Sequence, residues 1–193
     1  IRFGVARGLF SNEAGLGSAP IAAAAAKSDI PGRQALVSMT QVFFDTLVIC
    51  SITGITIVMS GQWQDDSIGA GTLTSAAWGT FLGDFGPILI SIGIIFFAAS
   101  TIIGWGYYGE KCFQYLVDNP IATLIYRIIF VLFIFVGATA SLDVIWSLAD
   151  VLNGLMAFPN LIGLIGLSGV IVLETKKIQQ KIKEEKEADI KAS

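Results

Sequence analysis

At 193 residues, 54% hydrophobic and 14% charged, with a mean hydropathy of +0.73, the chain lies outside the soluble range, where about 25% of residues are charged, and reads as a membrane protein. A net charge of -3, with half of the twelve cations in the last twenty residues, excludes a nucleic-acid binder driven by phosphate attraction. With no histidine, no cluster of metal-ligating cysteines and no Walker loop, a histidine-based intramembrane enzyme or a P-loop pump has no footing, so the chain is expected to do no covalent chemistry and to need no organic cofactor.

The first element holds the oddest stretch, GLFSNEAGLGSAPIAAAAAKSD from Gly8 to Asp29. It lacks the bulky aliphatic residues of a lipid-facing helix and sets Asn12 and Glu13 among glycines. Backbone that leaves the helix inside a bilayer is tolerated only where it is buried in protein or lines a cavity. One reading is a packing surface of small residues, of which GVARG is an example; the other is a broken helix over residues 1–27. In the second reading Gly8, Gly15 and Gly17 permit the break, and Ser11 or Asn12 caps a new half-helix running to Lys27. The N-terminus of that half-helix suits a carboxylate, while unwound carbonyls suit a sodium ion. The chain opens on Ile1 and carries no basic segment with a cleavage site, so it is expected to be part of something longer and to have no signal peptide.

Spans of roughly 20 apolar residues follow. The turn DIPGRQ launches a span over residues 35–59 whose single acid is Asp45, near Gln41 and Thr46. Asp45 serves either helix packing or an ion or gating pathway. A span over 85–109 has no charge, and one over 120–142 has only Arg127, placed to snorkel. Pro159 then divides the remainder into a short surface or re-entrant helix over 144–156 and a span over 159–173. Lys and Arg precede the first span, are absent from the connector 60–79, return at Lys111, and dominate residues 174–193. By the positive-inside rule this alternation needs four crossings and a cytoplasmic tail. The tail itself reads as a solvated or interfacial helix, with a partner-binding role as the alternative.

Within these elements, the adjacent hydroxyls Ser100 and Thr101 either bond a local carbonyl or offer hard oxygen ligands to a small cation. Trp105 either anchors at the interface with Tyr107 and Tyr108 or closes a site over a small side chain. Asp150 and Asn153 look like capping and turn chemistry. Gly163, Gly166 and Gly169 read as a packing seam. Cys50 and Cys112 are expected near opposite membrane faces as free thiols.

Three blocks, ARGLFSNEAGLGSAP (Ala6 to Pro20), GWGYYGEKC (Gly104 to Cys112) and ADVLNGLMAFPNLIGL (Ala149 to Leu164), resemble the alanine or glycine:cation symporter family, the sodium:alanine and sodium:glycine symporters. The resemblance implies an all-α membrane protein with part of a leucine-transporter-like inverted-repeat fold, a broken-helix half followed by about four transmembrane helices. It implies sodium-coupled symport of a small neutral amino acid, alanine or glycine, by alternating access across the plasma (inner) membrane, and no enzyme activity. The substrate site would then involve Phe10, Ser11, Asn12, Gly15, Gly17 and Trp105, and Ser100 with Thr101 would help hold sodium. The expected partners are alanine or glycine, the sodium ion, the lipid bilayer and a missing N-terminal half that carries the first broken helix, with no nucleic acid. A cation channel, and a structural fragment inactive by itself, remain open alternatives at this point.

Overall fold

The structure, a computed structural model, describes residues 2–192. Among them regular structure is helical throughout, with no strand. In chain order the helices are α1 (Arg2–Asn12), α2 (Ala19–Ala23), α3 (Pro31–Val42), a π-helical stretch (Phe43–Cys50), α4 (Ser51–Ser60), α5 (Leu73–Leu82), α6 (Phe85–Leu116), α7 (Pro120–Thr139), α8 (Leu142–Gly166) and α9 (Ser168–Ala192). Four uninterrupted helical runs are long and apolar enough to cross a membrane: Pro31–Ser60, Phe85–Leu116, Pro120–Thr139 and Leu142–Gly166. Their apolar windows are almost entirely uncovered, with 6% of the window buried in Pro120–Thr139 and 0% in the other three. A water-soluble protein would turn such faces inward; here they are matched to lipid.

The chain divides into two compact units. The first contains residues up to Val42 together with those from Phe135 onward. In it α1 runs beside α8, α2 folds back on α3, and α9 lies against α3. Pro31 opens α3 because its fixed φ suits a first helical turn and its missing N–H has no partner to lose there. The same proline ends the preceding segment, since the residue before it is driven from helical dihedrals. Beside it Gly32 is buried, and a Cβ there would meet the Ile178 Cβ at 2.7 Å. Ile178 is itself 6% exposed, and Arg33 pairs with Glu185, about two helical turns further along α9. The lysine-rich tail is therefore a docked helix with one buried anchor, not only a solvated extension.

The second unit, Phe43–Ile134, packs α4 on α5 and α5 on α6. Asn119 accepts bonds at Oδ1 from the Ile121 and Ala122 N–H groups, at 2.8 and 3.3 Å, and so caps α7. Across the α6–α7 hairpin, Arg127 Nε and Nη2 donate to Glu110 Oε2 and Oε1 at 2.6 and 2.7 Å. Arg127 thus makes a two-pronged ion pair with the neighbouring helix where snorkelling was expected. Phe113, Tyr126 and Phe130 stack beside it with centroids 5.4 and 6.2 Å apart. In the α4–α5 connector the Ser67 hydroxyl and N–H hold the Asp65 carboxyl below the usual carboxylate range.

Several boundaries differ from the sequence reading. Pro159 does not divide the fourth region, because α8 runs through it and stops only at Leu167. A proline removes its own N–H and crowds the carbonyl one turn back, but a long apolar helix keeps its remaining bonds and tolerates the defect. The separate short helix 144–156 and the span 159–173 are accordingly replaced by the single apolar helix Leu142–Gly166. The connector after Ser60 contains α5, whose TSAAW core carried no charge pattern to reveal it. Asp45 falls inside the π-helical stretch, where one extra residue per turn shifts the side chains that follow. Gly163, Gly166 and Gly169 meet no atom within 4 Å of a built Cβ, so no seam forms on them among the described residues. Cys50 and Cys112 are free thiols.

Two stability effects follow. The Tyr126 hydroxyl occupies the position a Cβ on Gly109 would take, so Gly109→Ala is expected to cost about 1–3 kcal/mol and Tyr126→Phe to restore part of it, read as melting temperature of the detergent-solubilised protein. Ile178→Ala should remove about 2 kcal/mol of tail docking, exposing sites after residue 173 to limited proteolysis while the apolar helices stay intact.

Candidate functional site

The helix of the first unit stops immediately after Asn12, and the next residues are left-handed. Glu13 has φ 53°, Gly15 φ 103° and Gly17 φ 80°. Three such residues within five cannot belong to a right-handed helix, and only glycine adopts them without strain. Glu13 is the exception, and it is held: Ser18, 1% exposed, donates from Oγ to Glu13 Oε2 at 2.9 Å, while Leu16 N–H reaches the Glu13 carbonyl at 3.4 Å. From the other side Asn160 Nδ2 donates to the Gly15 carbonyl at 2.9 Å. Its Oδ1 lies 2.9 Å from where a Cβ on Gly17 would be.

The expected residues divide between the two units, and each group is described within its own. In the first unit Phe10 and Ser11 lie on the last turn of α1, Phe10 half-buried and Ser11 exposed. Asn12, 9% exposed, ends that helix and donates from Nδ2 to the Gly8 carbonyl at 3.1 Å. Neither Ser11 nor Asn12 caps a following half-helix. The second piece, α2, starts at Ala19 and lasts five residues, because Ala25 and Ala26 already make short turn bonds to Ala22 and Ala23 and nothing bulky in the alanine run packs to prolong it. The dipole at the break is therefore mainly that of α1, eleven residues long, whose carbonyl end points there. That end carries partial negative charge and suits a cation better than the carboxylate expected from an N-terminus.

A cavity of about 480 Å³ opens beside the break. Asn12, Ala14, Ala19 and Pro20 form one wall, and Gln34, Ser38 and Gln41 of α3 line it with Met39 and Val42. Gln34 Nε2 lies 3.4 Å from Ser38 Oγ. Gln34 and Ser38 were missed in the sequence reading, although GRQALVSMTQV shows the signal: polar residues at 34, 38 and 41 share one helical face.

On the far side of α1, α8 presents a stripe at helical spacing. Arg7 Nη1 pairs with Asp150 Oδ1 at 2.7 Å, and its guanidinium sits 3.9 Å from the centroid of Trp146. Phe10 meets the same ring edge-on at 6.2 Å. Asp150 and Asn153 are thus mid-helix residues facing a neighbour, not caps or turn formers. Asn153 Nδ2 is buried with no hydrogen-bond partner among the described residues.

In the second unit, Ser100 donates from Oγ to the Phe97 carbonyl at 2.9 Å, the local bond that hydroxyls in membrane helices favour. Thr101 follows it on an exposed face. Trp105 is half-buried and edge-on to Tyr108 at 6.0 Å. No cluster of three or more metal-ligating side chains occurs among the described residues.

A family model described as the sodium:alanine symporter family matches residues 1–192. The sodium/alanine symporter AgcS of Methanococcus maripaludis is 56% identical over 184 residues, which are 93% of this chain and 40% of that protein. The amino-acid carrier protein AlsT and the probable sodium/glutamine symporter GlnT, both of Bacillus subtilis, are 37% and 38% identical over 88% and 90% of this chain and 36% of each relative. The chain therefore spans at most about 40% of the length of these relatives. No solved structure matches it.

Gly17 combines a left-handed φ with contact to Asn160. Gly17→Ala is expected to cost about 1–3 kcal/mol from backbone strain alone, seen as a lower melting temperature that Asn160→Ala does not fully restore.

Proposed function

Since the chain belongs to the sodium:alanine symporter family, a family of transporters and not of enzymes, we propose that the full-length protein is a sodium-coupled symporter of a small neutral amino acid, alanine or glycine, working by alternating access. The observation that carries this reading is the break after Asn12, placed beside a cavity in a chain otherwise built of apolar helices. Alternating access requires a site near the middle of a helical bundle where main-chain dipoles are released from the helix, and a discontinuous helix is how membrane transporters obtain one.

In this reading the carbonyl end of α1 suits a cation, and the Ser100 and Thr101 hydroxyls of α6 help hold sodium against the first broken helix, which the rest of the full-length protein supplies. The amino acid occupies the cavity beside the break, with Asn12 in its lining and Gly15 and Gly17 forming the break itself; Phe10, Ser11 and, in the second unit, Trp105 are the further substrate-site residues the family resemblance implies. Amide donors from α3 meet the carboxylate. Alanine is favoured over glutamine because the relative whose name carries alanine is 56% identical and the one whose name carries glutamine 38%. The chain would supply the second half of a leucine-transporter-like inverted repeat, the other half coming from the rest of the full-length protein.

Four crossings return the chain to the side on which it began, and the contact of Ile178 and Glu185 with Gly32 and Arg33 supports a tail on the same side as the start of α3. The cations of that segment and of the tail support the reading of this side as the cytoplasmic one, the membrane being the plasma membrane.

The test is uptake of labelled alanine into proteoliposomes containing the full-length transporter. Uptake should require external sodium and fall to background in potassium or choline. Asn12→Ala should weaken it about tenfold, the ~1.4 kcal/mol of one lost hydrogen bond, and Thr101→Ala should chiefly raise the sodium concentration required. Sodium-independent uptake in the wild type, or wild-type kinetics in both variants, would reject the assignment.

A further inference from the structure

The break is a short run of left-handed backbone, and left-handed glycine peptides are easily turned over unless something outside the loop holds them. We propose that Asn160 of α8 is the positioning residue of the break, its side-chain amide fixing the orientation of the Gly15–Leu16 peptide and so deciding which backbone dipoles the site presents. The proposal rests on the transport reading only for its functional consequence.

That peptide is held at both ends. Its carbonyl accepts from Asn160 Nδ2 at 2.9 Å, and its N–H reaches back to the Glu13 carbonyl at 3.4 Å. The first bond joins residues 145 positions apart, so nothing local can replace it. Turning the peptide over would break both bonds and point the Leu16 N–H at the Asn160 amide, donor against donor. The remainder of the Asn160 side chain blocks the alternative of sliding past it, with Oδ1, Cγ and Cβ at 2.9, 3.2 and 3.4 Å from the Cβ position of Gly17. Glycine at 17 is thus required twice, by φ and by the side chain laid against it.

Asn160 also sits on a helix that is anchored to the other side of the break. Asp150 lies ten residues earlier on α8, about 15 Å along the axis, and pairs with Arg7 on α1. Trp146, one turn further back, carries the Arg7 guanidinium on its face. With α1 fastened to α8 ahead of the break and Gly15 fastened to the same helix within it, α8 acts as a template on which the loop has one shape.

The experiment uses the full-length transporter with Asn160→Asp, which preserves size and replaces the donating Nδ2 by an acceptor. Two readouts are taken: the half-saturation for alanine and for sodium in proteoliposomes, and the rate at which Ala14→Cys, on the exposed edge of the break, reacts with a membrane-impermeant maleimide in a background lacking Cys50 and Cys112. The half-saturation for alanine should rise at least tenfold with the amount of protein in the membrane unchanged, and the labelling rate should change at least fivefold. An unchanged labelling rate, or a lower maximal rate at unchanged half-saturation, would overturn the proposal. A changed labelling rate in a protein whose wild type moves no alanine would uphold the positioning role and reject the transport reading instead. Should Asn160→Asp fail to accumulate, hydrogen exchange of the wild type decides: amides of residues 13–18 are expected to exchange at least tenfold more slowly than those of the exposed connector 61–72, and equal rates would overturn the proposal.

Discussion

Everything in this molecule answers to one constraint: in a bilayer, a main-chain N–H or C=O that leaves the helix must find its partner within the protein, because no water is there to supply it. Long apolar helices satisfy the rule by themselves. The stretch from Glu13 to Ser18 cannot, and the structure pairs main-chain groups there through Leu16 N–H to the Glu13 carbonyl and Asn160 Nδ2 to the Gly15 carbonyl, while Ser18 Oγ holds the Glu13 side chain. Removing any of these leaves a polar group stranded at a cost of about 1–3 kcal/mol. The cavity lined by Asn12 and Ala14 lies beside this segment.

The same constraint explains the other polar groups in the apolar helices. Glu110 and Arg127 meet in a two-pronged pair across a hairpin, so that neither charge faces lipid alone. Ser100 returns its proton to the Phe97 carbonyl, which hides the donor and leaves oxygen lone pairs available. Arg7 is shared between the Asp150 carboxylate and the Trp146 face, two interactions that gain from low dielectric. In each case the polar residue is bonded before it is functional. Its presence in the sequence therefore says less about function than its partner does.

Much of the fold is legible along the chain. Charge-poor runs of the right length mark the apolar helices, Pro31 marks the start of one and Asn119–Pro120 the start of another. Glycines at 15 and 17 mark the break, since no other residue takes φ of 103° and 80° without strain. What misled was local: Pro159 reads as a stop but is carried inside α8, and five alanines read as a helix but make little more than a turn. Propensity is a fraction of a kcal/mol per residue, so a proline in a well-bonded apolar helix survives while an alanine run with nothing to pack against does not extend.

The amino-acid sequence by itself determined the class of protein, the number of apolar helices and the place ahead of them where the chain breaks, because hydropathy and the φ preferences of glycine act over a few neighbouring residues. Only the tertiary structure decided what holds that place together. Asn160 reads as one residue in a run resembling its relatives, Asp150 as a cap, and Ile178 as part of a soluble tail. Their roles depend on partners roughly 145 residues away in the chain, and proximity across such distances is created by packing, which no local pattern records.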